Sequence, residues 1–179
     1  MRAVFGASRC RVVSYRDRDE NSEIHVLHST EVPEQGLISF CTIGLSDHAD
    51  DGYAVEPPLG VEILAVSDRP EFAEVVSTAA FCVINSGYRA RLGGAFPGVV
   101  RLHYPDTSVP NLHFVAPYLW DDEALRAHVY GEKTVAWLQA LPITDAETAY
   151  LVEYGADALG AAFARRDPDF VDLRRASVV

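Results

Sequence analysis

Two hydrophobic periods share this chain. Up to residue 66 the apolar residues gather in short runs rich in Val, Ile, Tyr and Phe, Arg9 to Tyr15, Glu23 to His28, Leu37 to Leu45 and Gly60 to Val66, separated by polar or Pro/Gly turns. Such runs predict strands. From Pro70 the period lengthens, because Phe72, Val75, Val76, Ala79, Ala80 and Val83 recur at steps of three and four residues. That spacing places them on one face of a helix that ends near Gly87 and covers the sheet. Val99 to His103, Leu112 to Ala116 and Thr134 to Leu141 return to the strand pattern, with Tyr104 to Pro110 as a proline-bounded turn.

A second helix has the best-specified start. Thr144 followed three residues later by Glu147 forms a capping box, with Pro142 just before it. The apolar face runs from Tyr150 through Leu151, Tyr154, Leu159 and Phe163, and Gly155 marks a bend or break in it. Strands, a helix, strands and a final helix predict an α+β fold: a mainly antiparallel mixed sheet covered by helices. No repeat or low-complexity tract divides the chain, so residues 1–179 are expected to form one domain.

Composition narrows the function classes. With 49% hydrophobic residues the chain can build a core, and its net charge of -11 opposes general affinity for nucleic acid, which needs clustered basic side chains. Cys10, Cys41 and Cys82 are widely spaced and contain no C-x-x-C, which fits a reducing, cytoplasmic setting and neither a disulfide framework nor structural zinc. No segment approaches the apolar length of a membrane helix, and no export signal is read at the N-terminus. No cofactor is expected, since neither G-x-x-x-x-G-K nor G-x-G-x-x-G occurs.

The segment TIGLSDHADDG, residues 42–52, concentrates chemical groups and fails each chemical test. As a calcium loop starting at Asp47 it offers Ala49 and Pro58 where oxygen ligands belong. As a nucleophile elbow around Ser46 it lacks the second glycine, and adjacent Ser46, Asp47 and His48 point to alternate sides of an extended chain. His25 and His28 lie three apart on one strand and face opposite ways, while His103 and His113 could meet across a hairpin without a further ligand, so no metal site is expected. Cys41 and Cys82 sit in apolar runs without a neighbouring cation, which predicts buried thiols. What remains is a turn: Gly44 serves the backbone where the strand ends, Ser46 and Asp47 hydrogen-bond within it, and His48, Asp50 and Asp51 project outward.

APYLWDDEAL, residues 116–125, sets Tyr118 and Trp120 beside Asp121, Asp122 and Glu123. Aromatic anchors bordered by charge recur at protein interfaces, although first-turn acids before a helix also produce the pattern. Asp47, His48, Asp50, Asp51, Tyr118, Trp120, Asp121, Asp122 and Glu123 are therefore the candidate partner-binding residues, and no catalytic residue is assigned.

Ordered blocks along the chain resemble the suppressor-of-fused domain family: ISFCTIGLSD, GVEILAVSD, EFAEVVSTAAFCVINSG, VPNLHFVAPYLW and ALPITDAETAYLVEYGADAL, closing with Arg-x-Ser-Val-Val at Arg175 to Val179. The resemblance covers nearly everything after Leu37. It implies a non-enzymatic α+β binding module whose bacterial single-domain members are immunity proteins of polymorphic toxin systems, with a protein partner, here a basic toxin domain to match the acidic balance. The second domain of the animal members has no counterpart here, so their transcription-factor ligand is not carried over, and the N-terminal helix is expected to be reduced or absent. That would leave Arg9 to Tyr15 as an open sheet edge. The rival readings are a small hydrolase or thiol enzyme using Cys41 or Ser46, and a regulatory binding subunit unrelated to toxins. Oligomeric state is left open.

Overall fold

A computed structural model of the protein describes residues 2–5, 9–19, 21–48, 58–120 and 123–179. Along the chain run α1 (Arg2–Phe5), β1 (Cys10–Arg16), β2 (Glu23–Thr30), β3 (Ile38–Ile43), β4 (Leu59–Ser67), α2 (Phe72–Ser86), β5 (Ala95–Phe96), α3 (Val99–His103), β6 (Asn111–Val115), β7 (His128–Tyr130), β8 (Lys133–Ile143), α4 (Asp145–Tyr154) and α5 (Ala156–Arg166). Short 3-10 turns occupy Leu45–His48 and Glu123–Leu125. The strands form a mixed sheet: β1–β2, β2–β3, β3–β4, β5–β6 and β7–β8 pair antiparallel, and β4–β8 pairs parallel. The fold is α+β, as the alternation of periods predicts.

The chain forms two compact units, Met1–Ala90 with Ala116–Gln139 and Arg91–Val115 with Ala140–Val179. In the first, α2 packs across β2, β3 and β4. Its predicted apolar stripe is real: Phe72, Val75, Val76, Ala79 and Ala80 are buried, each large one stabilising the unit by about 1.5–3 kcal/mol. Gly87 closes the helix in the left-handed region at φ 62, where a glycine carries no Cβ penalty. In the second unit Ile143, Leu151, Leu159 and Phe163 form a core against which Tyr150, Phe170 and Val178 pack. The Thr144–Glu147 capping box is present, and Gly155 at φ 85 breaks the apolar face into α4 and α5.

Two expectations are corrected, and a third, the reduced N-terminal helix, is met. Val99–His103 is one turn of helix and not a strand: Gly98 at φ 75 turns the chain, Val100 and Arg101 amides both donate to the Pro110 carbonyl, and Tyr104 closes the turn onto Val100. The backbone groups a strand would offer to a neighbour are thus used locally. His103 and His113 consequently share no hairpin, since His113 on β6 lies opposite Ala95 of β5 and bonds the Gly94 carbonyl at 2.9 Å. The N-terminal helix is reduced to α1, but it is used: Phe5 is buried and meets Trp120 edge-on at 6.0 Å.

Candidate partner-binding site

The apolar start of the 42–48 segment belongs to β3, and its polar end is folded onto a single carboxylate. Glu62, in the middle of otherwise apolar β4, accepts hydrogen bonds from the Thr42 hydroxyl at 2.6 Å and from the amides of Gly44, Leu45 and Ser46 at 3.0, 3.3 and 3.1 Å. Three successive amides aimed at one anion define the turn. Gly44 adopts φ 93, which a side chain would resist, and the Asp47 amide returns to the Gly44 carbonyl at 3.1 Å. Underneath, Gly60 is packed so closely that a Cβ there would run into the Ser46 carbonyl oxygen and come within 2.9 Å of its Cα.

The turn's side chains are held from outside it. Lys133 on β8 donates to the Ser46 hydroxyl at 3.2 Å and pairs with the Asp47 carboxylate, so the expected bond within the turn is made by the Asp47 amide alone, and the two side chains are held by a distant cation. Ser46 is 4% exposed and accepts from an ammonium that is itself ion-paired, an arrangement that removes no proton from the hydroxyl. Asp47 and His48 point into solvent. Asp50 and Asp51 lie outside the described residues.

The second candidate segment is pinned by its tryptophan. Trp120, 8% exposed, donates through Nε1 to the Ser39 hydroxyl at 3.0 Å, and Ser39 in turn donates to the Val32 carbonyl at 2.7 Å. Trp120 is thus an internal anchor that presents its neighbours. The Tyr118 amide donates to Gln139 Oε1 at 3.1 Å, leaving the ring 54% exposed beside half-exposed Leu119. Glu123 is exposed, whereas Asp121 and Asp122 lie outside the described residues.

Strand β8 therefore spaces two presentation points. Lys133 holds the Asp47 turn and Gln139 holds the Tyr118 loop, six residues apart, which at about 3.3 Å per residue separates them by roughly 20 Å. Tyr130, opposite Lys133 in the β7–β8 hairpin, adds an exposed ring beside the first point, with Val129 and Glu132 next to it. Sequence reasoning missed Tyr130, Lys133 and Glu62. A signal existed for the last: a lone carboxylate in the apolar run GVEILAV is costly to bury without donors waiting for it.

The thiols and the strand histidines are tied down by burial and hydrogen bonds. Cys41 is fully buried, and burial first, then the Glu62 charge, pushes its thiol well above the ordinary range; burial also raises Cys82. His28 is buried against Phe40 with Nε2 on the Tyr15 hydroxyl at 3.2 Å, and burial with help from Arg11 lowers its pKa to about 4. His25 faces the other way, to Ser14 at 2.8 Å. Among the described residues no group of three or more His, Cys, Asp or Glu side chains is placed to hold a metal ion, and no helix is long and apolar enough to cross a membrane.

The family model described as Suppressor of fused protein (SUFU) matches residues 20–176, across both units. The chain is 34% identical over 182 residues to "Immunity protein YqcF" of Bacillus subtilis (strain 168), a match spanning 99% of this chain and 94% of that protein. A crystal structure of a SUFU homologue from Neisseria gonorrhoeae FA 1090 is similar with a TM-score of 0.71 at 18% identity, covering 95% of this chain and 87% of that one. The Sufu–Fu complex structure is similar at 0.60 and 17% identity, covering 94% of this chain and 76% of that one. At those identities the structural likeness establishes the fold.

Proposed function

Since the chain belongs to the suppressor of fused protein family, we propose that it is a non-enzymatic immunity protein that binds and neutralises a toxin domain of a bacterial polymorphic toxin system. The observation that carries this reading is the 34% identity to an immunity protein over almost the full length of both chains. The site supports binding over turnover: its serine is buried, its thiols are held protonated by burial, and its exposed groups are acids and aromatic rings. We assign the partner face to the two points spaced by β8, with Asp47, His48 and Tyr130 at one and Tyr118, Leu119 and Glu123 at the other. Asp50, Asp51, Asp121 and Asp122 extend it on sequence alone, with Trp120 as the anchor beneath. A spacing of about 20 Å fits inside an interface of about 800 Å² per partner.

The net charge of -11 makes the matching toxin surface basic, which speeds encounter and fixes orientation. The protein acts in the cytoplasm as one domain, by covering the toxin and not by altering it. The test is co-expression with a candidate basic toxin domain in a sensitive cell. Growth is restored by the parent chain, and the purified pair forms a complex that weakens as salt rises. Asp47→Lys combined with Glu123→Lys weakens binding by about 10–100-fold. Growth restored without a complex between the purified proteins would refute the reading.

A further inference from the structure

The strand at the start of the chain differs from the rest in charge and in pairing. β1 pairs with β2 residue for residue, from Cys10 opposite Ser29 to Arg16 opposite Glu23, with no bulge, and among the described residues no strand pairs with its other side. In an antiparallel pair, alternate backbone groups face away from the neighbour, so the stretch Arg11 to Tyr15 offers amides and carbonyls outward. Natural edges are usually blunted by brevity, proline, a bulge or charged side chains, and of these β1 has only the charges, Arg11 and Arg16. β1 is seven residues long, contains no proline, and carries Val12 at 56% exposure.

Its charge specifies what could dock there. Residues 9–20 hold Arg9, Arg11, Arg16 and Arg18 against Asp17, Asp19 and Glu20, so the acids gather at the C-terminal end and leave Arg9 and Arg11 as a basic start to the strand, on a chain whose net charge is -11. Arg16 pairs with Glu23 at 3.2 Å, while Arg9 and Arg11 both lie N-terminal to the exposed Val12, on the other face of the strand. A second copy is disfavoured, because antiparallel β1–β1 pairing centred on Val13 and Ser14 would set Arg11 against Arg16 of the other chain, and like charges directly opposite destabilise a sheet. A nucleic acid is disfavoured by the overall negative charge and makes no use of a strand's backbone edge.

We propose that the outer edge of β1 is a strand-docking site for an extended acidic segment of a partner protein, with β-branched residues facing Val12 and Val13 and acids facing Arg9 and Arg11. Main-chain pairing gives the affinity, and the arginines select the charge. This site is separate from the acidic face assigned above and does not depend on the immunity reading.

The experiment titrates the full chain into a fluorescein-labelled synthetic peptide with the core Glu-Val-Val-Val-Glu, and into the same peptide with lysine for glutamate, read by fluorescence anisotropy. Hydrogen exchange is followed across residues 10–16. The acidic peptide binds and slows exchange there, while the lysine peptide does not bind. Arg9→Glu with Arg11→Glu weakens binding by about tenfold or more, and Asp47→Lys leaves it unchanged. Val12→Pro and Val13→Pro are made separately, because neighbouring amides face opposite sides of the strand and one of the two substitutions spares the β2 pairing. The variant that retains the parent melting curve loses the peptide. Equal binding of both peptides, no binding of either, affinity unchanged in the charge-reversed and folded proline variants, or a concentration-dependent dimer by sedimentation would each overturn the proposal.

Discussion

Glu62 and Glu147 are both buried carboxylates, one in each unit, and they are satisfied by different means. Glu62 accepts a hydroxyl and three loop amides, all neutral donors, and so shapes a turn that reaches solvent. Glu147 meets a full counter-charge: Arg175 donates to both of its oxygens at 2.7 Å, the Thr144 and Val178 amides donate at 2.9 and 3.1 Å, and the same guanidinium lies over the Phe170 ring at 5.2 Å. The first arrangement holds the backbone of the turn that carries Asp47 and His48. The second fastens the C-terminal tail to the start of α4. A neutral set of donors fixes geometry locally, whereas an ion pair makes each partner depend on the other.

The Arg175–Glu147 pair should give the largest effect. Arg175→Ala leaves Glu147, 0% exposed, without its cation, and breaking such a pair costs about 3–5 kcal/mol. Urea unfolding should show that loss for either single variant. Replacing both partners with apolar residues should recover much of it, and an equal loss in the double variant would mean that the pair acts independently of its charges.

Removing Glu62 should come next, at about 3 kcal/mol, because Glu62→Ala strands three amides and the Thr42 hydroxyl in partly or fully buried positions. The distinguishing readout is local. Amide exchange at Gly44, Leu45 and Ser46 should accelerate beyond the global loss of stability, and binding of the proposed partner should fall with it. Uniform acceleration across the unit would instead make Glu62 a general core residue.

These two carboxylates also separate what sequence makes legible from what it hides. Thr144 and Glu147 lie three residues apart, so the capping box is contained in the sequence, as are the α2 stripe and the Gly87 stop. Glu62 finds its donors 16 to 20 residues away, and Lys133 reaches Ser46 from 87 residues away; only the folded sheet brings such groups together. Trp120 illustrates the same limit. Its acidic neighbours suggested an interface anchor, but its environment is set by Ser39 and Phe5, far off in sequence. Val99 to His103 was misread because five apolar and basic residues suit either period, and the deciding partner, Pro110, lies beyond them. The Arg175 motif could be seen, its bond to Glu147 could not.

Acid should test both units at a smaller magnitude. In the first, His28 has its pKa lowered from 6.5 to about 4, so the unfolded chain binds the extra proton between those values and stability rises with pH across that window. A shift of that size corresponds to about 3 kcal/mol, complete above pH 6.5 and gone below pH 4. His28→Phe should flatten that limb. In the second unit burial alone would raise the Glu147 pKa, but the bonds from Arg175 and the Thr144 amide outweigh it and hold the carboxyl below its ordinary 4.5. Its contribution is present above that value and disappears as pH falls through the lower folded pKa. Melting curves between pH 7 and pH 3 should therefore lose the His28 share first and the Glu147 share last.

The smallest stability effect should fall where the functional effect is large. Lys133 and Asp47 form an ion pair with 32% and 67% of their side chains exposed, and such pairs contribute about 0.2–1 kcal/mol. Lys133→Met should therefore barely move the unfolding midpoint, because Glu62 keeps the turn's backbone in place while its side chains lose their tether. Association with the proposed partner should nevertheless change, since Asp47 would sample orientations that Lys133 now excludes and the complex would have to order it again. If stability and affinity instead fell in proportion, the turn would be held by its surface pair, and the division between a carboxylate that sets the backbone and a lysine that aims the side chain would be wrong.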